Sequence, residues 1–336
     1  LGKHEPTAIG PIDVQEKNGV VDIVADDEAH ATALAKQLLS YFQGPIQDWD
    51  AAPQESLRDA IPADRRWGYP VRRIIETIAD TGSFLELQRI FGRSIITGFI
   101  RLQGRPIALI ANDCQQLGGA VDSEASEKAA RFLDICNAHG LPVLSLTDTP
   151  GFMVGPASEV EGAVRRMGTL FTVGAKLTVP VVAIFLRKGY GLGAMAMTGG
   201  SFVAPVYAAS WPTGEFGGMG LEGAVRLGLT ALALAGDPDL PGLLLEELES
   251  AREPVFVAAL CRAAGLLGEP DEELRALLLA RAETVHDVEV VRLAVLGLGL
   301  LGDRLALRAL ADSLADVGST VDRAVFMIAA TCFSSR

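Results

Sequence analysis

Three glycine-rich segments constrain the fold of this 336-residue chain more than any other feature, because each separates strand formers from a helical pattern. The first is Leu117-Gly118-Gly119-Ala120, between the apolar run Pro106–Asn112 and a helix beginning at Ser123. The second, Thr149-Pro150-Gly151-Phe152-Met153-Val154-Gly155, follows the strand Pro142–Asp148. The third runs from Arg187-Lys188-Gly189 through Tyr190-Gly191-Leu192-Gly193-Ala194, after the strand Pro180–Leu186 and into a helix over Gly193–Thr198. Strand, glycine turn and helix in series predict an α/β class with parallel strand pairing. Glycine also lets main-chain N–H groups approach a ligand, and a helix N-terminus adds positive potential there.

The flanking elements agree with that class. Gly19–Val24 is a short apolar run, and Asp26-Asp27 caps a helical pattern over Ala29, Ala33, Leu34, Leu38 and Tyr41. Gly44–Arg66, with three prolines, reads as a connector. Ile95–Leu102 and Pro106–Asn112 form a hairpin turning at Gly104-Arg105. The helix Ser123–His139 takes Ser123 as N-cap and turns Ala129, Ala130, Leu133 and Cys136 inward. A further helix spans Ser158–Leu177.

Composition changes towards the C-terminus. Lys188 is the last lysine, and after Leu229 the chain is leucine-rich with arginine as its basic residue apart from His286. Ala235–Asp239, Leu267–Asp271 and Leu301–Leu305 recur at offsets of 32 and 34 residues between Ala/Leu-rich patterns. That period predicts an all-α, HEAT-like helical repeat region over 229–336, with an ordinary helical bundle as the alternative.

The charge balance, 29 Lys+Arg against 42 Asp+Glu or −13, argues against non-specific nucleic-acid binding but leaves room for a local basic patch that holds phosphate. Cys114, Cys136, Cys261 and Cys332 are dispersed, with no CxxC pair or Cys/His cluster, so neither a disulfide framework nor a metal site is expected. No apolar run reaches the ~18 residues of a membrane span. Leu1–Pro11 carries no signal pattern, and a chain starting at Leu1 reads as part of a longer, cytoplasmic product.

Side-chain chemistry is not advertised. No Walker A, HExxH or GxSxG motif occurs, and His4, His30, His139 and His286 form no dyad with a nucleophile. The chemistry the glycine segments offer is that of main-chain amides converging on a developing anion, as in an oxyanion hole.

The residues that carry these segments are similar to the carboxyltransferase (beta) subunits of biotin-dependent acyl-CoA carboxylases. The likeness lies in Asn112…Leu117-Gly118-Gly119-Ala120-Val121-Asp122, Asp148-Thr149-Pro150-Gly151-Phe152, Arg187–Ala194, Gly199–Phe202 and Trp211–Val225, and runs from about Gly19 to Gly228. The resemblance implies a crotonase/ClpP-like ββα spiral domain over 65–228, matching the family's C-domain. Residues 1–64 then hold the tail of the N-domain and a linker. It implies transfer of a carboxyl group from carboxybiotin, borne on a separate carrier, to the α-carbon of an acyl-CoA. It places the catalytic amides that bind the biotin ureido oxygen on Gly193 and Ala194, and cofactor contacts on Gly118, Gly119, Phe152 and Gly191 as well. Because biotin, once anionic, takes the α-proton, the protein needs donors and alignment rather than an ionisable base.

The resemblance further implies a biotin carboxyl carrier protein and a biotin carboxylase subunit as partners, with a homo-oligomer or a complementary N-domain subunit completing the site. No biotin-attachment signature occurs, since Lys188 sits in Arg-Lys-Gly. Arg187 and Lys188 are candidates to hold phosphate or carboxylate. Two alternatives stand beside this reading: a non-catalytic scaffold built on a degenerate crotonase-like domain plus repeats, and acyl-CoA hydration using Glu215 or Glu222.

Overall fold

A computed structural model of the chain describes residues 4–62, 64, 67–235, 238–251, 254–267, 272–284 and 294. It divides into two compact units, 1–219 and 220–336.

The first unit opens with α1 (Ile12–Lys17) and α2 (Glu28–Ser40). Asp27 caps α2, its carboxylate accepting the His30 N–H at 2.7 Å. Gly19–Val24 forms no strand: the Gln88 N–H donates to the Asp22 carbonyl and the Gln88 amide to that of Gly19, which ties the segment to a turn instead. The connector after α2 holds one short 3₁₀ turn, Gln54–Asp59, and then α3 (Val71–Ile78), an element without a sequence signal strong enough to announce it.

The sheet comprises β1 (Leu85–Leu87), β2 (Ile95–Leu102), β3 (Arg105–Asn112), β4 (Val143–Thr149), β5 (Val181–Tyr190), β6 (Tyr207–Ser210) and β7 (Glu215–Gly217). Its order is β1-β2-β3-β4-β5-β6, with β7 pairing the last residues of β5. The β1–β2 and β2–β3 pairs are antiparallel; β3, β4, β5 and β6 run parallel. The β2–β3 hairpin turns at Gln103-Gly104, both at positive φ (52° and 75°), rather than at Gly104-Arg105. Two positive φ values match the strand twist, and that decides the register of the turn.

Helices lie on both faces. α4 (Ser123–Ala138) takes Asp122 as N-cap, not Ser123, because the Asp122 carboxylate accepts the Ala125 N–H at 2.8 Å. Ala129, Ala130, Leu133 and Cys136 are buried as the periodicity requires. They pack with Ile95, Phe99, Ile110 and Val143 on one side of the sheet. The opposite side buries Ile96, Ile100, Leu109 and Leu146 against Tyr69, Ile74 and Ile75 around α3. Alternation along β2 therefore serves two cores, as expected of a sheet covered on both faces. The helix expected over Ser158–Leu177 is broken into α5 (Pro156–Val160) and α6 (Ala163–Gly174), because Gly162 at φ 68° leaves the helical region. α7 (Gly191–Met197) follows β5 directly and packs on β4 and β5.

The second unit is helical through α8 (Leu221–Ala235), α9 (Leu240–Ser250), α10 (Pro254–Leu266) and α11 (Glu272–Thr284). Leu229, Leu240, Leu244, Leu248, Leu260 and Leu278 form its core. The recurring segments that suggested a HEAT-like period fall wholly or partly outside the described residues. No described helix is long and apolar enough to cross a membrane.

Candidate active site

The C-terminal ends of β3, β4 and β5 lie side by side, so the three glycine segments that follow them meet at one end of the sheet. Loops are stitched there by main-chain bonds. The Val121 N–H donates to the Gly151 carbonyl at 3.0 Å, and the Met153 N–H to the Val121 carbonyl at 2.9 Å. The Asn112 carboxamide spans the gap, accepting the Asp148 N–H at 3.1 Å and donating to the Gly119 carbonyl at 3.4 Å.

Close approach explains two of the glycines. Gly119 has φ +84°, and a β-carbon there would lie 2.2 Å from the Asp148 carbonyl oxygen. A β-carbon on Gly193 would lie 2.6 Å from the Gly151 carbonyl carbon and 3.0 Å from the Phe152 nitrogen. The start of α7 thus rests directly on the backbone of the loop after β4. Gly191 begins α7 at φ +56°, whereas Gly118 is exposed at φ +62° with open space beside it. Ala194 is fully buried. In a helix whose N-cap is Tyr190, the N–H groups of Gly191, Leu192 and Gly193 have no partner inside the helix, while that of Ala194 is the first to face a carbonyl four residues back. Gly193 is therefore the more available of the two amides named from the sequence. Phe152 contributes backbone here; its ring packs on Phe171, with centroids 5.9 Å apart.

Beneath this floor lies an ionic cluster that the glycine pattern did not announce. Asp148, fully buried at the end of β4, accepts the Tyr69 hydroxyl at 2.8 Å and the Lys188 N–H at 3.1 Å. The Arg187 guanidinium stands 3.2 Å from its Oδ2, and the Lys188 ammonium 3.5 Å from its Oδ1. Arg187 is buried, donates to the Trp67 carbonyl at 2.9 Å and lies over the Tyr69 ring. It is committed to an internal carboxylate and is not held out for a ligand. The Lys188 ammonium donates to the Gly118 carbonyl at 2.6 Å and so braces the first glycine turn. Burial, with the Asp148 carboxylate next, pushes the Tyr69 phenol above its ordinary range and keeps it a donor. Tyr69 was missed from sequence because a lone tyrosine just after the connector carries no pattern; Asp148 and Asn112 stand inside recognisable motifs but without a role.

The remaining candidates find structural positions. Glu215 on β7 accepts the Tyr190 hydroxyl at 2.5 Å, and Glu222 belongs to α8 of the second unit. Cys114 and Cys136 are buried free thiols, and among the described residues no cluster of three or more His, Cys, Asp or Glu side chains is placed to hold a metal.

The parallel strands β3, β4 and β5 thus carry glycine turns at their carboxyl ends, and main-chain N–H groups at the start of α7 have no partner inside the helix. The chain belongs to the carboxyl transferase domain family, whose model matches residues 5–231. It is 34% identical over 255 residues to the methylmalonyl-CoA carboxyltransferase 12S subunit of Propionibacterium freudenreichii subsp. shermanii, covering 72% of this chain and 48% of that protein. It is 40% identical over 237 residues to the propionyl-CoA carboxylase beta chain of Rhodococcus erythropolis, covering 68% and 49%. Among solved structures, a single-chain, multi-domain long-chain acyl-CoA carboxylase matches with a TM-score of 0.66 and 58% identity, over 68% of this chain and 24% of that one. The chain spans about half the length of the curated relatives it matches.

Proposed function

We propose that this chain provides the C-domain half of a biotin-dependent acyl-CoA carboxyltransferase. The observation that carries the reading is the first turn of α7, where the Gly193 N–H has no partner inside the helix and Gly193 packs directly on the Gly151–Phe152 backbone, in a chain of the carboxyl transferase family. A floor of main-chain amides without side chains suits the carbonyl of a flat ring. Carboxybiotin, when bound, supplies the carboxyl group.

The chain's own residues do the rest by position. The Gly193 N–H, with Ala194 behind it, donates to the ureido oxygen, where each such donor is worth ~3–4 kcal/mol as charge develops. Gly118, Gly119 and Gly191 let neighbouring turns close around that oxygen, and the Phe152 nitrogen fixes the floor. Asp148 anchors the Lys188 N–H, which sets where β5 ends and α7 begins. The acyl-CoA half of the site comes from an N-domain beyond the tail and linker of residues 1–64, in another copy or subunit. Biotin arrives on a carboxyl carrier protein charged by a biotin carboxylase subunit. Residues 65–228 make up the crotonase-like C-domain in this reading, and 229–336, read as HEAT-like repeats, offer a surface to such partners.

The test combines the chain with a family N-domain and a carboxybiotin donor. Gly193→Val is expected to lower transfer by at least a hundredfold. Because that variant crowds backbone, a second measurement uses the unaltered chain: glycine-selective amide NMR during titration with biotin. The Gly193 amide should move; a spectrum unchanged at saturating biotin overturns the assignment.

A further inference from the structure

A second feature of the first unit lies beside the glycine floor. A cavity of about 470 Å³ opens between the end of α1, the β1–β2 connection and the loop after β3, lined by Lys17, Arg72, Arg89 and Arg93 with Asp113 and Gln116. Four cations against one carboxylate is the reverse of the chain's overall −13. We propose that this cavity binds a phosphate-bearing anion, a pyrophosphate or phosphate ester. The anion site does not rest on the reading of the Gly193 amide; coenzyme A as its source rests on the proposed acyl-CoA substrate.

Within the cavity one cation is already neutralised. Arg72 donates to both Glu86 oxygens, at 2.9 and 2.6 Å, and to Asp113 at 2.6 Å. It forms a fixed wall. Arg89 is 72% exposed and only 3.8 Å from Glu86, and Arg93 and Lys17 are exposed as well. Lys17 and Arg93 therefore face the opening with no acid paired to them among the described residues, and Arg89 shares Glu86 with Arg72; that excess of positive charge suits a polyanion better than a single carboxylate.

The wall is built in advance of any ligand. The Lys128 ammonium, itself buried, donates to the carbonyls of Phe91 and Ile95 at 3.0 and 2.7 Å and so clamps the segment that carries Arg93. Gly92, at φ +51°, packs so tightly on α4 that a β-carbon would lie 2.8 Å from the Ala125 nitrogen. On the other side, the bonds from Gln88 to Gly19 and Asp22 hold the end of α1, and with it Lys17, beside Arg89. These bonds fix the backbone from which Lys17, Arg89 and Arg93 reach the opening, and Arg72 is itself held by side-chain bonds. Ile95 pairs with Asn112, so the cavity opens at the same end of the sheet as the glycine loops.

The nucleotide end of coenzyme A and a free polyphosphate share this chemistry. Calorimetric titration of the 336-residue chain with inorganic pyrophosphate and with adenosine 3′,5′-bisphosphate separates them. Saturable binding that weakens with added salt is expected, and Arg93→Glu or Arg89→Glu should each reduce affinity at least tenfold at an unchanged melting temperature. Tighter binding of the bisphosphate supports the nucleotide end as occupant; pyrophosphate binding as tightly or more tightly supports a free polyphosphate. Lys36→Glu, an exposed charge reversal on α2, controls for the general field. Absence of saturable binding by both probes into the millimolar range, or equal losses in Lys36→Glu and Arg93→Glu, overturns the proposal.

Discussion

Replacing Asp148 with asparagine isolates what the ionic cluster contributes. The substitution keeps volume and one of the two acceptor oxygens: the carboxamide oxygen still takes the Lys188 N–H, while its NH2 faces the Tyr69 hydroxyl, which turns to accept. What disappears is the negative charge 3.2 Å from a guanidinium that is 4% exposed. At an effective dielectric of about 20, that attraction is about 5 kcal/mol. Part is retained, because Arg187 still donates to Trp67 and lies over the Tyr69 ring. Lys188, 23% exposed, recovers hydration and contributes less. The expected loss is about 3 kcal/mol, at the lower end for breaking a buried ion pair. Urea unfolding followed by tryptophan fluorescence reads this unit selectively, since Trp49, Trp67 and Trp211 all lie within 1–219. Adding Arg187→Met should return much of the loss, because the uncompensated charge is then gone. A loss below about 1 kcal/mol for Asp148→Asn, or no recovery in the double variant, refutes the reasoning.

Three further outcomes follow from the same contacts. Tyr69→Phe removes a buried hydroxyl's bond to a carboxylate and should cost about 2 kcal/mol in the same assay. Gly119→Ala meets the Asp148 carbonyl and should cost about 3 kcal/mol, whereas Gly118→Ala, with open space at a similar φ, should cost about 1 kcal/mol; equal costs would show that the close approach is immaterial. Burial lowers the Lys128 ammonium from 10.5 to about 8, so the unfolded chain binds that proton more tightly and stability rises as pH climbs from about 8 towards 10.5. Wild type should gain about 3 kcal/mol over Lys128→Met across that window. The Cys136 thiol, pushed up to about 12 by burial, destabilises both proteins alike above its ordinary value of 9.0 and cancels in the difference. A pH-independent gap between the two proteins would contradict the buried ammonium.

What the sequence discloses depends on how far apart the interacting residues lie along the chain. The glycine turns, the β2–β3 hairpin and the amphipathic face of α4 are local patterns, and the structure realises each with small displacements. The cap moved one residue, from Ser123 to Asp122, because a carboxylate at 122 reaches the Ala125 N–H. The long helix after Gly155 broke because Gly162 adopts a positive φ, which apolar periodicity does not report. Non-local chemistry is different in kind. The Tyr69–Asp148 bond joins residues 79 apart, and nothing in either neighbourhood requires the other. The four cations of the basic cavity come from 17, 72, 89 and 93, and an average over the chain hides them behind −13. Arg187 shows the consequence most sharply. Read locally, a cation at a strand end beside a glycine turn is a ligand-binding group; once β4 is placed next to β5, the same cation is the counter-ion of Asp148. Sheet pairing, which residue spacing does not encode, thus decides which charges face a ligand and which hold the floor in place.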